Sequence, residues 1–537
     1  MPWLAAGPGG VQMAREPAVA ARMHAAAQVA AWLALCFALA LVSYHYLAVK
    51  QSFFDDVFIY LHMARNAVES GTWQYFPVVE RHALLASSPF KLVLLTLGTA
   101  VASILGFGSR TLGDAQVVLL LTGVIGWLVF APFWRRHLDL YALTGTVYFL
   151  SATAFAAAFD FEGGLLFLWL VTLLRLLSEP ACQPRALALL LPLGGLIRPD
   201  LALIVYTVLA VVAMTDHSVR RRLLEMRLAW LFFVPAVWIL LALLFSVYPI
   251  PVTYWAKAAI PTLVEQASFL QKVFERIGLV MVAPGQISAK SGTTLGVLVV
   301  GTFASLSIPR LRVPAAVGIA TVAVSVALFG RMPASFWWYY ENLLLLMLAL
   351  LFSQVVFESR SKCPVGWTAS AFTIVVVMTI AVGSKSLRDS PGIWSFATPD
   401  SGRSKGYLFL ARHANGDGTY TLPEVGRVLI KNPEMGITSY FTGKGAWIWD
   451  GAGLAQPLDM AEVRNSRLRY AYPPRLRLEA SEDAQAMVDR VAGRLAVVEV
   501  WAMEDRNFEE ARKKCRYVIV EGALCINPYR EIVARPR

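Results

Sequence analysis

Charge is what this 537-residue chain has least of. Asp, Glu, Lys and Arg make up only 16% of it, against about 25% in a soluble globular chain. That deficit excludes a cytosolic enzyme, a disordered scaffold and a nucleic-acid-binding module. Cysteine is scarce too, with five residues, and no CxxC, HExxH or histidine cluster occurs, which argues against a dedicated zinc site. Internal repeats and low-complexity tracts are missing, so neither a solenoid nor a linker-rich architecture fits. What fills the chain instead is apolar: 57% hydrophobic residues and a mean hydropathy of +0.56. Gathered into long runs, these residues describe a polytopic helical membrane protein. The net charge of +12 fits that class, because the basic residues recur in short loops between the runs.

The candidate spans are 28–48, 113–134, 139–157, 163–178, 186–198, 200–214, 228–247, 292–308, 313–330, 339–357 and 366–384, each approaching the ~20 residues a bilayer requires. Arg15 and Arg22 precede the first span and place the N-terminus in the cytoplasm. A further run, 90–107, is decided by charge. If it does not cross and 186–214 is a helical hairpin turning at Arg198-Pro199-Asp200, the basic loops at Arg135–Arg136, Arg185, Arg220–Arg222 with Arg227, Arg310 with Arg312, and Arg360 with Lys362 all lie inside; if it crosses, all lie outside. We therefore expect 90–107 to lie on, or dip into, the outer face. The first run is too long for a cleaved signal peptide. Residues 1–22 read as disordered, with Met23 an alternative start.

This gives a cytoplasmic tail at 1–27, a transmembrane domain at 28–384 with outer loops 49–112 and 248–291, and an extracytoplasmic domain at 385–537. The last has soluble composition. Alternating segments at Arg427–Ile430 and Tyr517–Val520, with a helical pattern near Ala484–Leu495, predict a small α/β domain. Cys515 and Cys525 flank a strand and a Glu521-Gly522 turn in it; a disulfide and two free thiols both satisfy that pattern.

The chemistry gathers at the outer interface. Asp55 and Asp56 are adjacent carboxylates in an aromatic setting just outside the first span, an expensive placement. Desolvation and mutual repulsion raise the pKa of one of such a pair, which suits a general base; capping the helix expected over Val57–Ser70 is the structural alternative. In this topology Asp160, Glu162, Arg198, Asp200, Tyr254, Lys257 and Arg331 share that depth. Arg198-Pro199-Asp200 can equally be a helix break with a snorkelling arginine. Trp337–Tyr340 reads as an aromatic belt, Asp450 as a turn residue, and His62 and His82 as loop residues rather than metal ligands.

Beyond these singular positions, the segments agree in order with a known pattern. Phe54-Asp55-Asp56-Val57-Phe58-Ile59, then Tyr60–Asn66, Gly71-Thr72-Trp73 and Ala86–Phe90 resemble the first outer loop of the GT-C superfamily of polyprenyl-phosphate-sugar glycosyltransferases, the arabinofuranosyltransferase-type members above all. Phe161-Glu162-Gly163 is similar to that family's second-loop element. Leu196–Asp200 is similar to its L-x-R-P-[DE] turn, and Tyr248–Lys257 to its LPNT-x-x-[AV]-K segment. Gly436–Phe441 with Asp450–Ala455 resembles the opening of its C-terminal domain. Val252 replaces the usual asparagine, and Asp160-Phe161 occupies the place of the usual glycine.

The resemblance implies a GT-C fold of about eleven spans and an inverting transfer of a sugar, arabinofuranose first, from a polyprenyl phosphate to an envelope glycan, lipid or protein. The site would lie on the outer face of a bacterial inner membrane. Chemistry then assigns roles. Asp55 or Asp56 deprotonates the acceptor hydroxyl. Arg198, Lys257 and Arg331, with Tyr254, bind the donor phosphate and stabilise it as it leaves. Asp160, Glu162, Asp200 and His82 are the candidates to contact acceptor or sugar. Three cations make an obligatory metal unnecessary, a divalent ion being the other way to neutralise the phosphate. The competing class is a transporter or flippase for a lipid-linked sugar. It would string charges along a path, whereas here they concentrate at one depth.

Overall fold

The computed structural model describes residues 55–77, 84–134, 162–178, 184–226, 228–251, 402–423, 425–432, 435–450, 495–502, 517–519 and 524–532. Among the described residues eight helices come first: α1 (Asp55–Ser70), α2 (Pro89–Ile104), α3 (Leu112–Phe130, continued by a 3-10 turn at Ala131–Trp134), α4 (Glu162–Ser178), α5 (Pro184–Ile197), α6 (Pro199–Thr215), α7 (His217–Leu224) and α8 (Leu228–Leu244). A C-terminal α/β unit follows, with α9 (Gly402–Arg412), β1 (Tyr420–Leu422), β2 (Gly426–Asn432), α10 (Gly436–Thr442), β3 (Trp449–Asp450), β4 (Leu495–Ala502), β5 (Tyr517–Ile519) and β6 (Leu524–Ile532).

Local chemistry sets the helix ends near the site. Pro89 opens α2 and Pro199 opens α6, each at a first-turn position where the missing N–H costs nothing. Thr111 caps α3 by accepting from the Asp114 amide at 3.1 Å. α1 ends at Gly71, whose φ of +68° is the left-handed conformation glycine tolerates. Among the described residues one helical stretch, Gly113–Trp134, is long and apolar enough to cross a membrane; Pro89–Ile104, Pro184–Ile197, Val205–Thr215 and Ala229–Leu244 are shorter apolar helices. The run 90–107 is indeed helical. It packs as an antiparallel hairpin against α3, with Phe90 edge-on to Phe130 and Gly98 seated on Thr122.

Two cores result. Trp127, Phe130, Trp134, Trp169 and the leucines of α4–α6 form one. The other joins α1, α2 and the end of α8 directly to the C-terminal unit, through Phe58, Trp73, Tyr75, Tyr407, Val428, Tyr440 and Trp447. The sheet runs β1-β2-β4-β6-β5, with β3 parallel to the end of β2. Its β2–β4 pair is parallel and β4–β6 antiparallel. The expected strands at Arg427–Ile430 and Tyr517–Val520 are present as β2 and β5. Leu495, the end of the expected helical stretch, instead begins β4, because the strand carries the β-branched Val497, Val498 and Val500 and pairs with β2 on one side and β6 on the other. Cys525 stands opposite Val518 and Trp501; Cys515 lies outside the described residues.

Candidate active site

Four helices deliver side chains to one buried point. α4 begins with Glu162, and α5 runs antiparallel to it until the chain breaks at Arg198, which adopts extended backbone ahead of Pro199. The two helices approach closely because Gly194 has no side chain. A Cβ there would lie 2.1 Å from the Trp169 ring, whose Nε1 donates to Leu190 O at 2.7 Å. From that contact Glu162 is about two turns up α4 and Arg198 about one turn up α5, roughly 10 and 6 Å of rise. The long arginine side chain spans the difference: Arg198 Nη1 reaches Glu162 Oε1 at 3.1 Å, with Glu162 only 3% exposed.

α1 and α2 supply the other wall. Tyr60 accepts a hydrogen bond from the Ser88 amide at 2.8 Å and pairs with Ser87 Oγ at 2.9 Å, which fixes the turn that leads into α2. One turn further, Lys91 is fully buried with its Nζ 3.5 Å from the centre of the Tyr60 ring, a cation–π contact. Burial, reinforced by the Glu162 charge, pushes the Tyr60 phenol well above its usual pKa, so Tyr60 enters the site as a neutral hydroxyl. Ser88 Oγ is buried beside it without a hydrogen-bond partner. Among the described residues the site thus holds Lys91, Arg198, Glu162, the Tyr60 phenol and the unsatisfied Ser88 hydroxyl, screened from water, where charge acts most strongly.

The arrangement brings together Glu162 and Arg198 of the sequence candidates. Asp55 and Asp56 occupy the first two positions of α1, one turn before Tyr60, and Asp200 the second position of α6; their side chains lie outside the description. The helix expected over Val57–Ser70 therefore starts two residues earlier, with both acids inside it. His82, Asp160, Tyr254, Lys257 and Arg331 lie outside the described residues. The segment leading to Lys257 does arrive beside the site, since Leu84 and Pro251 form a parallel bridge and Trp238 Nε1 donates to Pro249 O at 2.8 Å.

Sequence reasoning missed Lys91 and passed over Tyr60, Ser87 and Ser88. A signal for Lys91 existed: a lone lysine within the apolar run 90–107 has no inexpensive place in an apolar setting.

No protein-family model and no curated protein sequence matches the chain. Among solved structures it is similar to ArnT from Cupriavidus metallidurans in the apo state, at 14% identity over 95% of this chain and 100% of that one, with a TM-score of 0.48. It is similar as well to the same protein bound to undecaprenyl phosphate, at 14% identity over 92% and 97%, with a TM-score of 0.50. The chain has the ArnT fold. A fold of this kind agrees with the architecture the ordered motifs led us to expect. The likeness reaches the superfamily's fold and goes no further toward its arabinofuranosyltransferase branch.

Proposed function

We propose that this chain is a membrane glycosyltransferase that moves a sugar from a polyprenyl-phosphate donor to an acceptor at the outer face of a bacterial inner membrane. The observation that carries the reading is the buried convergence of Lys91, Tyr60, Glu162 and Arg198 at the start of α1. The neighbour of the same fold that holds undecaprenyl phosphate supports a lipid phosphate as ligand. In this reading Lys91 and Arg198 face the donor phosphate, joined by Lys257, Tyr254 and Arg331. Their charge matters most as the glycosidic C–O bond breaks and the phosphate gains its full negative charge. Ser88 Oγ, lacking a partner, is free to donate to a phosphate oxygen.

An acceptor hydroxyl attacks the anomeric carbon from the face opposite the leaving phosphate, so configuration inverts. Its proton passes to a carboxylate of the Asp55–Asp56 pair. Position 56 precedes Tyr60 by four residues and shares its face of α1, whereas position 55 shares the face of Phe58 and Ile59. Asp56 is the better-placed base. Glu162 holds Arg198 and stands beside the incoming hydroxyl with Asp160, Asp200 and His82. Arabinofuranose remains the first donor to try, and the C-terminal α/β unit is assigned the acceptor.

The test is sugar transfer by protein reconstituted in lipid nanodiscs, with prenyl-phosphate arabinofuranose and envelope extract, beside Asp55→Asn and Asp56→Asn. Transfer by wild type, lost in folded Asp56→Asn, is the expected result. Equal transfer by wild type and both variants removes the pair from the mechanism. No transfer from any prenyl-phosphate sugar moves the assignment to a flippase.

A further inference from the structure

The face of α1 turned away from Tyr60 carries a second polar cluster that the transfer chemistry does not use. At its centre is Arg110, in the turn between α2 and α3. Its Nη1 donates to Tyr440 O at 2.8 Å and to His62 Nδ1 at 3.2 Å; its Nη2 donates to Glu69 Oε2 at 2.7 Å and to Asn66 Oδ1 at 3.2 Å. One guanidinium therefore ties three turns of α1 to α10, a helix 330 positions away in sequence. Its plane also lies 5.7 Å from the Tyr440 ring, and the backbone at Gly443 passes beside it.

The turn that presents Arg110 is itself held to α1. Arg65 donates to Ser103 Oγ at 3.1 Å and to Ser109 O at 2.7 Å. Ser109 in turn donates to Asp114 at 2.6 Å. Around these bonds the contact is apolar: Phe58 packs on Tyr440 and Phe441 with ring centres 5.3 and 5.7 Å apart, and Tyr75 Oη donates to Met435 O at 3.3 Å. α1 is thus clamped by the C-terminal unit on the face of Phe58, His62, Asn66 and Glu69, while the face of Tyr60, which position 56 shares and position 55 does not, builds the site.

We propose that Arg110 is a positioning residue: it locks α1 to the C-terminal unit, so that docking of that unit sets where the acid pair and Tyr60 stand relative to Glu162 and Arg198. The proposal rests on the glycosyltransferase reading for its kinetic consequence and on geometry alone for the locking. Because a guanidinium satisfies four acceptors in a fixed fork and a lysine cannot, the effect is graded with the side chain. Arg110 touches neither donor nor acceptor, so its loss acts on kcat and leaves donor binding in place.

The experiment compares wild type with Arg110→Ala, Arg110→Lys and Trp134→Phe in nanodiscs, by transfer kinetics and by hydrogen exchange over 55–70. Trp134 is buried in the other core, where its Nε1 donates to Thr172 Oγ1, so that variant reports general destabilisation. Expected is a fall in kcat of tenfold or more for Arg110→Ala, with donor KM within twofold, an intermediate value for Arg110→Lys and near wild-type kcat for Trp134→Phe. Exchange over 55–70 quickens in Arg110→Ala alone. Wild-type kcat and unchanged exchange in Arg110→Ala overturn the proposal, as does an equal kcat loss in Trp134→Phe. If wild type transfers no sugar, the glycosyltransferase reading fails by itself. The exchange result then decides the lock: quicker exchange upholds it and unchanged exchange overturns it.

Discussion

The two faces of α1 are both buried and both charged, yet they are built to opposite ends. On the C-terminal side, polar groups answer one another across a dense network, Arg110 with His62, Asn66, Glu69 and Tyr440 O, and Arg65 with the 103–109 turn, although the neighbouring Thr438 and Ser439 hydroxyls are buried without a hydrogen-bond partner. On the other side, among the described residues, Lys91 and Arg198 stand with Glu162 and Tyr60, and the buried Ser88 hydroxyl has no hydrogen-bond partner. A many-membered hydrogen-bonded network across two units holds a structure in one conformation, whereas buried charges gathered with a phenol and a hydroxyl at one point can act on a ligand. What each group bonds to, more than burial or charge alone, separates the joint from the proposed site.

The hardest blow to that contrast is Arg198→Ala. It strands Glu162, 3% exposed, without its cation, and losing one partner of a buried pair costs ~3–5 kcal/mol. We expect transfer to fall at least a hundredfold and the melting temperature to drop. A double variant, Arg198→Leu with Glu162→Leu, should regain stability without regaining activity. Recovery of both would show that the pair is structural only. Next in size is Lys91→Met, which keeps the volume and removes the charge. A rise of ten- to a hundredfold in donor KM, measured on folded protein, is the expected outcome; an unchanged KM would take Lys91 out of the phosphate site.

How much of this was legible in the residues differs between the two faces. Glu162, Arg198 and the acid pair stood out because each is an ionisable group at the edge of an apolar run, and the break at Arg198-Pro199 followed from proline chemistry. The helix at 90–107 was readable as well. Lys91 escaped because it sits inside that run, where hydropathy averaging hides a single charge. The joint was invisible for another reason. Arg110 meets Tyr440 across 330 positions, and neither residue is unusual locally, since an arginine in a polar turn reads as solvated until the partner helix is in place. The start of β4 was misjudged because its pairing with β2 and β6 overrides the helical pattern that precedes it.

Gly194→Ala sharpens the comparison by disturbing the site through packing instead of charge. The added methyl would meet Trp169 at 2.1 Å, so α4 and α5 must separate, at about 1–3 kcal/mol for an overpacked core. The expected signs are a lower melting temperature and a moderate loss of transfer as Glu162 and Arg198 lose register. Pairing the change with Trp169→Leu should restore part of both. Failure of the second substitution to restore either would mean that the α4–α5 contact does not set the register of the pair.

The mildest test uses pH on the joint. His62 Nε2 lies 2.8 Å from Tyr75 O and Nδ1 lies 3.2 Å from an Arg110 N–H. Nδ1 must therefore accept, Nε2–H donates, and the ring is neutral. Burial first and the Arg110 charge second hold its pKa well below the ordinary 6.5, against a smaller opposing effect of the Tyr75 carbonyl. Below about 6.5 the unfolded chain thus binds a proton that the folded joint refuses. Its stability contribution is complete above that pH and is lost as the pH falls, by up to ~1.4 kcal/mol per pH unit until the folded-state pKa is reached. Melting curves between pH 7 and 5 should show a slope that His62→Gln flattens, because glutamine has no proton to refuse. The His62 side of α1 should loosen in this window, while the Tyr60 phenol, held well above its usual pKa, stays neutral throughout it. Equal slopes in wild type and His62→Gln would place the acid sensitivity elsewhere and leave His62 a packing residue.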